Sequence, residues 1–367
     1  MANLKISYNY SYTFEQEYGG ISRYFKELIF AIYSNNLAHP KIYSGININQ
    51  PIRDLPWKIN EGKYISSYPC RGLKCIGYVN KIYNRLRNEF FDPDIIHQTN
   101  YVKNAFRTRK AKNVLTVYDL IHEIYSETRE DFKNSAKIKQ ESLDQADHIL
   151  AISHSTKNDL MKYYGIDNNK ITVTHLGVSA ISGNDKKPHK SPKFDYLLYV
   201  GKRGSYKNFY RFIKAYSSSS TLTKDFKIIA FGGGKPSPEE NQFINENCPG
   251  KVIFVNGNDY QLAIYYRNAS AFVYPSEYEG FGLPPLEAMQ YGVPVFSSNT
   301  SSLPEVVGDA GIYFDPFSFE SIQEALEQNI YDSQKLYMIV SAGKKNITKF
   351  TWKKCAMETV KAYKYVL

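Results

Sequence analysis

Cysteine is scarce, with four residues (Cys70, Cys75, Cys248 and Cys355) in a chain of 367. So few thiols in so long a chain exclude a disulfide framework, and the Cys70 and Cys75 spacing lacks companions for a zinc site. Free thiols in a reducing compartment are the expectation. The first ten residues, Met-Ala-Asn-Leu-Lys-Ile-Ser-Tyr-Asn-Tyr, contain no basic segment leading into an apolar one, which argues against a secretory leader. No apolar run reaches the length that spans a bilayer. A cytoplasmic protein is expected, free or at the inner face of the cell membrane. Asp92-Pro-Asp94 imitates a metal-binding Asp-x-Asp, but the proline and the apolar run after it make it a turn into a strand. No metal ion and no other cofactor is therefore expected.

Acidic charge is also in deficit, with 36 Asp and Glu against 46 Lys and Arg, a formal net charge of +10. The excess is concentrated between residues 58 and 112: Lys58, Lys63, Arg71, Lys74, Lys81, Arg85, Arg87, Lys103, Arg107, Arg109, Lys110 and Lys112, opposed by Glu61, Glu89, Asp92 and Asp94. An anionic membrane face, an acidic substrate or a solvated basic surface each accounts for this. Interleaved aromatics do not argue for nucleic acid, because tyrosine is abundant throughout with 32 residues, and no nucleic-acid partner is expected.

What the chain does have is strand–helix alternation in both halves, which predicts an α/β protein of two doubly wound, Rossmann-like domains. Residues 179–193 are rich in Ser, Lys, Pro, Gly and Asn without apolar periodicity and read as a linker. The predicted division is 1–180, a linker at 181–194, a second domain at 195–350, and an amphipathic terminal helix at 351–367.

The densest stretch is Ala271-Phe-Val-Tyr-Pro-Ser-Glu-Tyr-Glu279-Gly-Phe-Gly282-Leu-Pro-Pro-Leu-Glu287-Ala-Met-Gln-Tyr-Gly292-Val-Pro-Val-Phe296. It reads as strand, glycine loop, helix opened by Pro284-Pro285 and closed by Gly292, then strand. A helix N-terminus behind a glycine loop offers free backbone N–H groups to a phosphate or sugar oxygen. Glu279 in the loop and Glu287 in the first helical turn can reach different parts of one elongated ligand. Glu287 also has a bland reading, a carboxylate that complements the helix dipole.

Further phosphate candidates lie at other strand-to-helix junctions. Gly19-Gly20 precedes a helix with apolar positions 24, 25, 28, 29 and 32. Strand 196–200 runs into a loop carrying Lys202, Arg203 and Lys207, cations suited to a diphosphate, with a solvated loop as the alternative. In the first half, His97 after one strand and Asp119 and His122 after the next stand where ligands enter open α/β sheets, although structural histidines are as common. Ser155 is the expected cap of a helix through Tyr164.

Tyr278-Glu279-Gly-Phe-Gly-Leu-Pro-Pro-Leu-Glu287-Ala-Met resembles the signature of the family 4 retaining glycosyltransferases, and the likeness extends through Ser301-Ser-Leu-Pro-Glu305-Val-Val-Gly. The resemblance implies the GT-B fold, two such domains facing a cleft, with the terminal helix crossing back onto the first. It implies that Glu279 contacts the transferred sugar and Glu287 the ribose, while the backbone of Phe281, Gly282 and Leu283 holds sugar and phosphate oxygens. Gly19-Gly20-Ile-Ser-Arg-Tyr is similar to the family's N-terminal donor loop. The phosphate-binding basic pair falls on Lys207 with Arg203, or Lys202 in its place. Val255, Asn256 and Leu262 correspond to the corner that holds the base. Many members carry His-Asp where this chain has Tyr118-Asp119, so His122 or His97 is the substitute for that histidine. Gly-Gly-Ile-Ser-Arg-Tyr, Tyr-Lys-Asn-Phe and Ser-Ser-Leu-Pro-Glu-Val look most like bacterial polysaccharide mannosyltransferases. That likeness implies metal-independent transfer from a nucleotide-diphosphate sugar, GDP-mannose ahead of a UDP-sugar, to a glycan or lipid-linked oligosaccharide in surface polysaccharide or O-antigen synthesis. A sugar epimerase of the same fold and a catalytically silent partner subunit are the rival readings.

Overall fold

Short apolar runs rich in Val, Ile and Tyr recur along the chain, each closed by polar residues or glycine and followed by an amphipathic stretch. In the computed structural model, which describes residues 4–15, 17, 19–69, 73–125, 130–179 and 192–367, these runs form parallel sheets in two compact units. One comprises Met1–Gly177 with Trp352–Leu367, the other Val178–Thr351. Most of the expected linker, residues 181–191, lies outside the described residues, as do Cys70 and Arg71.

The first unit contains strands β1 (Lys5–Tyr8), β2 (His39–Asn47), β3 (Asn60–Tyr64), β4 (Ile95–Gln98), β5 (Lys112–Val117), β6 (His148–Ala151) and β7 (Ile171–Val173). They are all parallel, in the order β3-β2-β1-β4-β5-β6-β7. The second contains β8 (Tyr196–Val200), β9 (Lys227–Phe231), β10 (Val252–Val255), β11 (Ala271–Tyr274), β12 (Val295–Ser298) and β13 (Gly311–Phe314), parallel in the order β10-β9-β8-β11-β12-β13. In each sheet the winding reverses beside the first strand, between β1 and β4 and between β8 and β11. Such a reversal opens a crevice at the carboxyl ends of the strands, where ligands of doubly wound sheets bind.

Helical periodicity accounts for the covering layers. The helix Gly20–Ser34 buries Tyr24, Phe25, Leu28, Ile29 and Ile32, and the helix Phe209–Ser217 buries Phe209, Phe212, Ile213 and Tyr216. Each such apolar side chain taken fully out of water contributes roughly 1.5–3 kcal/mol before chain entropy is counted. The helix His154–Tyr164 is capped by Ser153, whose side chain accepts the Thr156 N–H, and not by the expected Ser155. The cap must be extended, and Ser153, the residue after the strand's exit, has φ −152° and ψ 162°.

The terminal helix Trp352–Val366 belongs to the first unit and buries Cys355, Ala356, Thr359, Val360, Ala362 and Tyr363. Its start passes so close to Gly177 that a Cβ there would lie 2.3 Å from the Trp352 nitrogen, so only glycine fits.

Candidate active site

In the second unit the two loops flanking the winding reversal carry most of the residues singled out from the sequence. After β11 the chain passes through residues 275–282 into the helix Leu283–Gln290. Gly282 is its N-cap at φ +99°, and an added Cβ would stand 2.7 Å from Leu303 Cδ2. Both the backbone angle and the contact favour glycine. Proline in the first turn sacrifices no helical hydrogen bond, and Gly292 follows the last turn at φ +71°.

Hydroxyls of residues 300–302 hold this loop. Thr300 Oγ1 donates to Glu277 O at 2.9 Å, Ser301 Oγ accepts the Glu279 N–H at 2.9 Å, and Ser302 Oγ lies 2.9 Å from both Glu279 O and Phe281 O. Asn208, left-handed at φ 61°, donates from Nδ2 to Pro275 O at 2.9 Å and Pro316 O at 2.7 Å. Arg211 adds an ion pair with Glu277 at 2.6 Å. These supporting residues were not assigned roles from the sequence. Their signal is the Ser/Thr run and the Asn at a helix entrance, both types that bond locally to backbone.

Glu279, 7% exposed, pairs with Lys207 Nζ at 2.6 Å. Lys207 also lies over the rings of Tyr206 and Tyr274, at 5.2 and 5.8 Å. Tyr274 hydrogen-bonds Glu279, and burial, then that negative charge, raises its phenol well above the ordinary range, so it remains a donor. Glu287 is equally buried and accepts from Tyr266 Oη at 3.3 Å. The loop thus holds a fixed cation–carboxylate pair, while Glu287, the fifth residue of the helix Leu283–Gln290 and so beyond the first turn in which it was expected, adds a second buried carboxylate. The arrangement can orient hydroxyls of a sugar and stabilise negative charge on a departing phosphate.

Arg203 does not serve as the second phosphate cation. It is buried, its Nε donates to Glu240 Oε1 at 2.5 Å, and its Nη1 and Nη2 donate to Gly232 O at 2.6 Å and Gly234 O at 3.2 Å. The guanidinium also lies over Phe254 at 4.7 Å. Three successive left-handed glycines turn their carbonyls towards it, and a guanidinium fork is the group that fits them. Its neighbour Lys202 is exposed, and its ammonium makes no hydrogen bond or ion pair among the described residues. Val255 ends β10 and accepts the Gly232 N–H at 2.8 Å, while Asn256 Oδ1 accepts the Gly234 N–H at 3.2 Å. Leu262 is buried in the helix Asp259–Asn268, which an Asn258–Gln261 capping box starts. Val255 and Asn256 of the expected base corner therefore bond to one glycine turn.

In the first unit, Gly19 caps the helix Gly20–Ser34, and an added Cβ on Gly20 would meet nothing within 4 Å. His97 is a correction. It is fully buried, with Nδ1 2.6 Å from Tyr363 Oη and Nε2 2.7 Å from Thr116 Oγ1. Burial holds its imidazole down to about 3, so it is a neutral core histidine with both nitrogens occupied. It belongs to the strand rather than to the loop beyond it, and the terminal helix covers it.

Asp119 follows β5, and its Oδ1 accepts the Ile121 N–H at 3.1 Å. Beneath it the wholly buried Lys139 donates to Asp119 O and to Glu123 Oε2, each at 2.8 Å. His122 stands on this loop, packed edge-on against Phe132 at 4.9 Å. Burial and then the Lys139 charge lower its pKa, which leaves it neutral at neutral pH. Tyr118, in the place of the usual family histidine, donates to Thr99 O at 2.8 Å.

Residues 18–180 match the family described as Glycosyltransferase Family 4, and residues 182–346 match Glycosyl transferases group 1. The chain belongs to the family 4 glycosyltransferases. It is 33% identical to the O-antigen chain mannosyltransferase B of Escherichia coli over 62% of this chain and 63% of that one. It is 32% identical to the O-antigen chain mannosyltransferase RfbU of Salmonella typhimurium over 51% of this chain and 52% of that one. The chain thus spans between half and two thirds of the length of these curated relatives. A sucrose-phosphate synthase from Thermosynechococcus elongatus superimposes with a TM-score of 0.74 at 17% identity, covering 99% of this chain and 98% of that one. That likeness establishes the GT-B fold.

Proposed function

We propose that the protein is a retaining hexosyltransferase that moves mannose from GDP-mannose to a glycan or lipid-linked oligosaccharide in O-antigen or related surface polysaccharide synthesis. The observation that carries this reading is the Lys207–Glu279 pair, 2.6 Å apart, which joins the loop after β8 to the loop that leads into the Gly282-capped helix. The mannosyltransferase relatives support the choice of sugar.

In the proposed reaction the bond between the sugar C1 and the diphosphate oxygen breaks, and an acceptor hydroxyl oxygen bonds to C1 on the same face. The hydroxyl proton passes to the departing phosphate oxygen. Lys207, Lys202 and the backbone N–H groups at the helix start near Gly282 meet the charge that develops on the diphosphate. These groups supply the positive charge without a metal ion. Glu279 orients the sugar and Glu287 the ribose. Val255, Asn256 and Leu262 hold the base, and Asp119 and His122 face the acceptor. No described helix is long and apolar enough to cross a membrane. The basic 58–112 region brings the enzyme to the inner face of the membrane.

Thermal stabilisation by GDP, UDP, ADP and dTDP, followed by a transfer assay with the matching sugar nucleotide, tests this reading. Selective stabilisation by GDP and release of GDP from GDP-mannose are expected. Selectivity for UDP replaces the donor but keeps the reaction class. No response to any nucleotide overturns the transferase reading in favour of a silent partner subunit.

A further inference from the structure

The helix Leu73–Phe91 is built inside out. Amphipathic helices of globular proteins bury an apolar stripe and leave a polar one wet. Here the buried side chains are Asn80, Asn84 and Asn88, on one face at successive four-residue steps. Asn80 Nδ2 donates to Ile46 O at 2.8 Å while its Oδ1 accepts the Ile46 N–H at 2.9 Å, and Asn84 Nδ2 donates to Tyr43 O at 3.3 Å. The amides fasten the helix to β2. Its outward ridge is apolar: Val79, Ile82, Leu86 and Phe90 are exposed by 54, 43, 51 and 87%.

Lys81 and Arg85 lie on the helix flank between the asparagine face and this ridge. Together with Arg107 and Arg109 of the β4–β5 crossover, and with Asn9 just after β1, they line a cavity of about 700 Å³. The acid in its lining, Glu89, is paired with Arg85 at 3.1 Å. The side chains of Lys81 and Arg109 make no hydrogen bond or ion pair among the described residues. Four cations around one cavity, bordered by an apolar helix ridge, match an anion that is attached to a lipid.

We propose that this cavity seats the phosphate group of a lipid phosphate, that of the membrane-borne acceptor, while the outward ridge of the helix lies in the bilayer that carries it. An arginine fork and a lysine suit the concentrated charge of the phosphate or diphosphate that joins lipid to glycan, for which the doubly ionisable headgroup of phosphatidic acid stands in. A helix with an apolar outer face and basic flanks lies in the plane of a bilayer surface rather than across it. The proposal deepens the acceptor side of the reading above. Binding is measured without donor or transfer, so its failure leaves the transferase reading standing.

The intact chain is co-sedimented with three vesicle preparations: phosphatidylcholine alone, phosphatidylcholine with phosphatidylglycerol, and phosphatidylcholine with phosphatidic acid. The two anionic preparations are matched for surface charge. Binding to phosphatidic acid should exceed binding to phosphatidylglycerol, and both should exceed the neutral control. Lys81→Ala and Arg109→Ala should each weaken phosphatidic acid binding about fivefold and erase the preference for it. Leu86→Ser with Phe90→Ser should weaken binding to both anionic preparations and leave the preference in place. All four positions are exposed, so unchanged melting temperatures confirm that the variants fold. Equal binding at equal charge, or a preference that survives Lys81→Ala and Arg109→Ala, overturns the phosphate seat. Absence of binding to every vesicle overturns the proposal altogether.

Discussion

The two units share one kind of sheet and treat their polar residues in opposite ways. In the second, charged residues at the carboxyl ends of β8 and β11 are paired with one another within the loops: Lys207 with Glu279, and Arg211 with Glu277. In the first, polar residues are drawn inward: His97 of β4 is locked beneath Tyr363, and Lys139 of the helix Glu130–Gln145 is sealed under the loop after β5. The same unit turns a helix's asparagines in and its apolar ridge out. A polar residue beyond a strand thus marks a site only where the next element leaves it uncovered.

Adjacent cations offer the hardest test of that contrast. Arg203→Ala leaves Glu240 as an unpaired buried carboxylate and should cost about 3–5 kcal/mol of stability, read as a large fall in melting temperature. Lys202→Ala should leave the melting temperature unchanged while transfer drops. The reverse pattern would restore Arg203 to the phosphate site. Lys207→Ala should lower transfer by roughly 10²–10³-fold with the fold retained, the loss typical of a preorganised charge-stabilising group. Full activity in that variant would remove Lys207 from the chemistry.

The glycines separate the units more finely. Gly282→Ala meets both a left-handed backbone and the Leu303 side chain and should destabilise by about 1–3 kcal/mol. Gly20→Ala meets nothing and should leave the stability within about 1 kcal/mol of the parent. A fall in nucleotide binding without unfolding in Gly20→Ala would mark close ligand approach to that helix start.

The last comparison concerns pH. The folded pKa of His97 is depressed to about 3, so the unfolded chain takes up this proton first as pH falls below the usual histidine range. Its contribution is complete above that range and is lost as pH drops from about 6.5 towards 3, at no more than about 1.4 kcal/mol per pH unit. Urea midpoints at pH 7 and pH 5 should differ less in His97→Gln than in the parent. An unchanged difference would place the acid sensitivity elsewhere.

Much of the second unit was legible in the sequence. Ala271–Tyr274 is a strand over the residues read as one, the proline pair sits in the first turn of the next helix, and Gly282 and Gly292 bound that helix with positive φ. Glycine and proline act through local backbone energetics, which sequence position alone reports. The first unit was less legible because its decisive contacts are long-range. Nothing near His97 in the chain announces Tyr363, and nothing near Asn80 announces the backbone of Ile46. Ser153 displaced Ser155 as a cap because the strand's exit set which residue was extended.

By itself, the sequence determined the alternation of strands and helices, the glycine loops at their junctions and the Glu279–Glu287 signature, because these rest on periodicity and local conformation. Only the tertiary structure decided which ionisable groups stay available to a ligand. It assigned Arg203 to a glycine turn, left Lys202 exposed, buried His97, and turned the asparagines of Leu73–Phe91 inward. Burial and partnership of a side chain depend on what packs over it, and those neighbours come from distant parts of the chain.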